Sequence, residues 1–176
     1  PFHKILEDYF TSHPDIKLAF QPGTYQMKFG KDKLAGIYRR SDVFFCNKEE
    51  SQRILKTEED DIKKLLASIG GLGPKVAVIT DGPRGAYTYD GSEFLFMPAY
   101  PDPQPPYERT GAGDAFSSTF TVALALGKSV SEALQWAPIN SMSVVQQVGA
   151  RAGLLSRQQL EKFLKEAPAD YKPKKI

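Results

Sequence analysis

The chain has 176 residues, with 23 Lys and Arg against 21 Asp and Glu and a formal net charge of +2. That balance is too even to argue for nucleic acid, and the length suits one domain with a sizeable core, read here as residues 1–176. Hydrophobic residues at 41% and charged residues at 25% match an ordinary soluble globular protein, with neither an 18-residue apolar run nor a signal-peptide pattern to argue for a membrane. The single cysteine, Cys46, excludes an internal disulfide and reads as a buried, reduced thiol of a cytoplasmic protein. His3 and His13 both lie near the N-terminus, which leaves neither a His/Cys zinc cluster nor a Ser-His-Asp set.

In chain order, "FHKILEDYFTSH" places Phe2, Ile5, Leu6, Tyr9 and Phe10 on one helical face, stopped by Pro14 and Asp15. "IKLAF" (Ile16 to Phe20) reads as a short strand. A loop and helical turn over "QPGTYQMKFG" lead to a helix around Lys31 to Arg39. "DVFFCN" is a second strand that ends on the polar Asn47. "KEESQRILKT" and "EEDDIKKLLASIGG" are helices, the second closed by Gly70 and Gly71 as a C-cap. "KVAVIT" (Lys75 to Thr80) is a buried strand, and "AYTYDGSEFLFMPAY" is a hairpin about Asp90-Gly91. After the Pro-rich connector "PDPQPPYERT", a helix runs from about Gly113 to Leu126 and ends at Gly127. The next, "SVSEALQWAPINSMSVVQQVG", is capped by Ser129 or Ser131, kinked or broken at Pro138 and closed on Gly149. The last helix, "LLSRQQLEKFLKEA", is capped by Ser156 with Gln159 in the capping box. The terminal "YKPKKI" reads as a frayed, solvated tail. Strands alternating with helices mean a parallel α/β sheet covered on both faces, with the hairpin as an antiparallel addition.

"TGAGD" (Thr110 to Asp114) carries the chemistry. It is neither a Walker A motif nor the dinucleotide fingerprint. Gly111 and Gly113 allow a sharp turn that aims backbone N–H groups at one point, and the helix beyond adds its positive end. Asp114 at that helix start is a candidate proton acceptor. The same residues serve equally as a plain helix cap, and the motif alone leaves both readings open. "NKEE" puts Asn47 and Glu50 after a strand, where ligands gather in open α/β sheets. "TDGPRG" ends another strand with Thr80, Asp81, Gly82 and Gly85 in a polar turn. Each of these alone is also an ordinary surface helix or turn.

Together and in this order, the segments resemble the second half of the PfkB-type, or ribokinase-like, carbohydrate kinases. "NKEE" matches the family's N-x-x-E, "VITDGPRGAY" its strand-Thr-x-Gly-x-x-Gly turn, "RTGAGDAF" its D-T-x-G-A-G-D signature and "VVQQVGA" the helix end before its adenine-side loop. The similarity runs from about Ile16 to Leu164. It implies a three-layer αβα, doubly wound, mostly parallel sheet, here lacking the family's N-terminal strands and β lid. It also implies ATP-dependent phosphorylation of a sugar or nucleoside hydroxyl. Carried over, Asp114 is the base and Gly111, Ala112 and Gly113 form the anion hole. Glu50 with Asn47 organises Mg²⁺ through water, and Thr80, Asp81, Gly82 and Gly85 line the phosphate and ribose side. Asn140 and Ser143 touch the adenine. ATP and Mg²⁺ are the implied cofactors, with a monovalent cation as a further candidate. Glu108 stands where the family has Asp, and Arg109 where it has a small residue.

The family's N-terminal half, which supplies most acceptor contacts, has no counterpart before Pro1. The chain therefore reads as a C-terminal nucleotide-binding and catalytic portion, with a homodimer or a complementing N-terminal half as candidate partner. The expected ligand is a small sugar or nucleoside, with no nucleic acid and no membrane. The alternative is a non-catalytic nucleotide-binding or interaction module derived from such a kinase. A hydrolase or dehydrogenase finds no support, for lack of G-x-S-x-G, a third glycine and a placed histidine.

Overall fold

The computed structural model describes residues 2–176. Among them, eight α-helices accompany six strands that follow chain order in one mixed sheet. The chain groups into two compact units, one running up to Thr80 with Tyr87–Phe94, the other made of Asp81–Ala86 with Leu95–Ile176.

In the first unit, α1 (Phe2–Ser12) is amphipathic as its pattern requires, yet it has no buried residue. Leu6 packs against the core, whereas Phe2, Ile5 and Tyr9 stay exposed. The short strand β1 is only Ala19–Phe20, less than the expected Ile16–Phe20. The Asp42 carboxylate takes the Leu18 N–H at 2.9 Å, which ends the pairing early. The helices α2 (Thr24–Phe29) and α3 (Ala35–Arg40) follow. Arg40 fastens the end of α1 by donating its Nε to the Phe10 carbonyl at 2.7 Å.

β2 (Val43–Asn47) buries its four apolar residues and exposes Asn47, which opens α4 (Lys48–Leu55). Asp61 caps α5 (Ile62–Gly70) through the N–H groups of Lys63 and Lys64. Gly71 is indeed its C-cap but with right-handed backbone, φ −63°. The left-handed turn falls instead on Gly73. β3 (Val76–Thr80) lies parallel to β2, with Val43 opposite Val76 and Asn47 opposite Thr80. Phe44, Leu66, Ile69, Ala77 and Ile79 form the fully buried centre of this unit. Burial of Cys46 pushes its thiol well up from the ordinary value, with the Glu50 charge adding to the shift, so the thiol stays protonated. β4 (Ala86–Tyr89) turns at Asp90, whose Oδ1 takes the N–H groups of Ser92 and Glu93, an Asx turn.

In the second unit, β5 (Phe94–Met97) precedes the Pro-rich connector. α6 (Ala112–Ala125) starts one residue earlier than the sequence suggests, which places Gly113 inside the helix and leaves Gly111 as its N-cap. Gly127 closes it as expected, with φ +81°. α7 (Val130–Val145) is capped by Ser129 in a capping box with Glu132. Pro138 does not break it. Burial among Ala137, Ile139 and Leu134 outweighs the one hydrogen bond that the ring removes. The helix ends at Val145, before rather than on Gly149, which adopts φ +88° in the following bends. α8 (Arg157–Lys165) is capped by Ser156 with Gln159.

The C-terminal tail is not frayed. β6 (Lys174–Lys175) pairs antiparallel with β5. The buried Tyr171 anchors it by donating its hydroxyl to the Gln135 carbonyl at 2.8 Å. Lysines on so short a strand are the kind of charge that blunts a sheet edge.

Candidate functional site

In the first unit, the polar candidates sit at the C-terminal ends of two parallel strands. Asn47 and Thr80 are register neighbours there. Asn47 Oδ1 accepts the Glu50 N–H at 2.8 Å, and Glu50 Oε2 accepts the Asn47 N–H at 2.9 Å. This reciprocal capping box stabilises α4 by about 1 kcal/mol, so the N-x-x-E spacing has a folding role of its own. It also fixes the Glu50 carboxylate at the Asn47 N–H, on the register neighbour of Thr80. Among the described residues, neither Glu50 Oε1 nor the Thr80 hydroxyl has a hydrogen-bond partner.

In the second unit, Asp81 and Arg84 form a two-pronged ion pair, with Nε to Oδ2 at 2.7 Å and Nη2 to Oδ1 at 2.6 Å. The pair spans a single 3₁₀ turn, Gly82–Arg84, and occupies both carboxylate oxygens of Asp81. Gly85 closes the turn at φ +107°, and a Cβ there would lie 2.2 Å from the Met97 carbonyl oxygen. Glycine is required at that position by packing against β5 alone.

The helix start is built differently from an ordinary cap. Gly111 is left-handed, φ +83°, and offers no side-chain acceptor to the first turn of α6. The Ala115 N–H reaches back to the Gly111 carbonyl at 2.8 Å. Of the N–H groups in between, that of Ala112 donates to the Arg109 carbonyl at 3.3 Å, while those of Gly113 and Asp114 have no intrahelical acceptor by geometry and lie at the positive end of the helix. Gly113 and Asp114 are exposed there. Ser141 Oγ donates to the Ala112 carbonyl at 2.8 Å, fixing the first turn against α7. Such an arrangement can receive an anion beside a carboxylate.

Asn140 is buried, and both ends of its amide are engaged. Nδ2 donates to Thr119 Oγ1 at 2.8 Å, and Oδ1 accepts the Leu155 N–H at 3.0 Å. Ser143 Oγ donates to the Gly153 carbonyl at 2.7 Å and lines an open cleft of about 340 Å³ with Met142, Gln146 and Leu155.

Over residues 17–157 the sequence matches the pfkB family carbohydrate kinase description. The chain belongs to that family. A cytidine kinase from Thermococcus kodakarensis is 34% identical over 123 residues, 68% of this chain and 43% of that protein. A ribokinase from Bacillus subtilis is 37% identical over 93 residues, 53% of this chain and 31% of that one. Among solved structures, Arabidopsis thaliana ribokinase complexed with ribose and ATP superposes with a TM-score of 0.81 at 25% identity, covering 93% of this chain and 53% of that one. A nucleoside kinase from Methanocaldococcus jannaschii, an archaeal member of the ribokinase family, gives 0.74 at 21% identity, covering 85% and 48%. The chain spans less than half the length of these curated relatives. The fold is thus the ribokinase-like α/β fold that the motifs implied.

Within this pfkB-family chain, the candidates form local groups. Asn47, Glu50 and Thr80 come together at the β2 and β3 ends, and Gly111 to Asp114 gather at the start of α6. No three His, Cys, Asp or Glu residues cluster to hold a metal among the described residues. A Mg²⁺ ion does not need such a cage, since it keeps several waters and takes one or two carboxylates beside substrate phosphates. The unengaged oxygen of Glu50 fits that requirement.

Two supporting residues escaped the sequence reading. Ser141 and Thr119 act across helices, at separations of 29 and 21 residues from their partners, and no local spacing announces them. No helix among the described residues is long and apolar enough to cross a membrane.

Proposed function

We propose that the chain forms the nucleotide-binding and catalytic portion of an ATP-dependent sugar or nucleoside kinase, with Asp114 as the base. The observation that carries this reading is the left-handed Gly111 turn opening α6 with Asp114 exposed in its first turn, in a chain of this family. The Asp114 carboxylate accepts the proton of an acceptor hydroxyl as its oxygen bonds to the γ-phosphorus of ATP. The bond from that phosphorus to the β–γ bridging oxygen breaks, and ADP leaves. The N–H groups of Gly111, Ala112 and Gly113 hold the charge that gathers on the transferring phosphoryl oxygens.

Glu50, seated by Asn47, would hold Mg²⁺. The ion, when bound, neutralises phosphate charge. Thr80, Asp81, Gly82 and Gly85 line the phosphate and ribose side, and the adenine side falls at Ser143. Asn140 contributes from behind by fixing Thr119 and Leu155. The names of the relatives, a cytidine kinase and a ribokinase, support an acceptor among nucleosides and sugars.

The test is acceptor-dependent ADP formation from ATP over a panel of sugars and nucleosides, comparing the parent protein with Asp114→Asn. Loss of about 10²–10⁴ in kcat with ATP binding retained is expected. Near-parental kcat in Asp114→Asn would refute the assignment of the base.

A further inference from the structure

The loop after α7, residues 146–151, consists of a turn and bends, so strand or helix pairing does not hold it. It is nevertheless tied at its start and in the middle. The N–H groups of Tyr107 and Glu108 both donate to the Val145 carbonyl, at 2.8 and 3.4 Å. Gln146 Nε2 donates to the Gln104 carbonyl at 3.0 Å. In the middle, the half-buried Glu108 carboxylate accepts the N–H of Gly149, which lies 41 residues away. Next to that bond, the backbone of Ala150 lies directly on Gly111. A Cβ at Gly111 would meet the Ala150 carbonyl oxygen at 2.6 Å and its Cα at 2.7 Å. The segment that leads into α6 and the loop that follows α7 are thus in backbone contact at the glycine that shapes the helix start.

We propose that Glu108 is a positioning residue that clamps the 146–151 loop against the Gly111 turn and thereby fixes the direction of the phosphate-facing N–H groups. The inference rests on the functional reading above and deepens it. Glu108 does not touch the nucleotide. A charged acceptor makes the stronger kind of hydrogen bond, and here it ties the middle of the loop. Without it Ala150 is free to withdraw, and the Gly111 turn loses the neighbour that confines it. Donors whose directions are no longer fixed in advance hold an anion less well. The longer Glu at this position, where shorter Asp is the family pattern, supplies the reach to Gly149.

Three proteins separate the outcomes: the parent, Glu108→Ala, and Glu108→Gln, which keeps a side-chain acceptor of the same length. Amide hydrogen exchange at Gly149 reads the clamp, and calorimetric titration with ATP and Mg²⁺ reads its consequence. Glu108→Ala should lose protection at Gly149 and weaken ATP binding by about tenfold, the scale of one hydrogen bond to a charged group. Glu108→Gln should restore most of both. A merely structural role would lower the melting temperature of Glu108→Ala and leave the affinity of the folded protein unchanged. That result overturns the inference, as does Gln failing to rescue affinity while the protein stays folded. A parent that protects Gly149 but binds no ATP overturns the kinase reading and, with it, the role given to the clamp.

Discussion

Gly111→Ala is the sharpest perturbation of the helix start. Gly111 has φ +83°, where an L-residue carries a strain of roughly 1–2 kcal/mol. The added methyl also has no room, since three atoms of Ala150 lie 2.6 to 2.8 Å from its position and two of them are backbone. Relieving that overlap by shifting the loop costs about 1–3 kcal/mol more. The sum, roughly 2–5 kcal/mol, is a large fraction of the stability of a typical domain. For a chain of this length each kcal/mol lowers the melting temperature by about 2–4 °C, so a fall of about 4 °C or more is expected by calorimetry or circular dichroism. ATP affinity, measured well below the transition, should fall as well because the turn that aims the N–H groups is displaced. Gly113→Ala is the matched control. Gly113 lies within α6 and is exposed, where alanine is the better helix former, so its melting temperature should hold or rise. If Gly111→Ala melts with the parent, the left-handed turn and its contact with Ala150 are not constraints, and the cradle loses its structural basis.

Glu50→Gln separates folding from ion binding at the other group. Gln still accepts the Asn47 N–H and completes a capping box, so thermal stability should stay close to that of the parent. The Mg²⁺ concentration that half-saturates ATP binding should rise several-fold with loss of the carboxylate charge. Unchanged Mg²⁺ dependence assigns Glu50 to capping alone. Asp42 contributes to the acid response of the first unit. Burial pushes its carboxyl up, but hydrogen bonds from Lys75 and the Leu18 N–H, with the charges of Lys75 and Lys17, outweigh burial and hold it below the ordinary value. A depressed native value means that the unfolded chain binds more protons in acid. The stabilisation is therefore present above the ordinary carboxylate range and lost as pH falls through the native value. Urea midpoints should drop over that window in the parent, and Asp42→Asn should start lower at neutral pH and drop less.

What the sequence shows most directly is what neighbours decide. The capping boxes at Asn47, Ser129 and Ser156 lie within three residues of their partners, and the alternation of buried strands with helices follows from the apolar runs. The dual character of N-x-x-E was not resolvable from spacing, because a cap and an ion site ask for the same two side chains. Contacts at a distance left no trace. Tyr171 docks the basic tail through Gln135, 36 residues away, while Asn140 is consumed by Thr119 and Leu155. The boundary at "TGAGD" shifted by one residue for a similar reason. The backbone of Ala150 confines Gly111 to the turn, so the helix opens at Ala112 and only one of the two glycines has positive φ.

Calorimetric titration of the protein with ATP, with and without Mg²⁺, tests most directly whether the Gly111 turn and the Glu50 carboxylate serve a nucleotide. Saturable binding with Kd below about 1 mM, strengthened by Mg²⁺ and weakened in Gly111→Ala, is the expected result. No binding by the folded parent at millimolar ATP would contradict a phosphoryl-transfer site and leave the helix start as a cap.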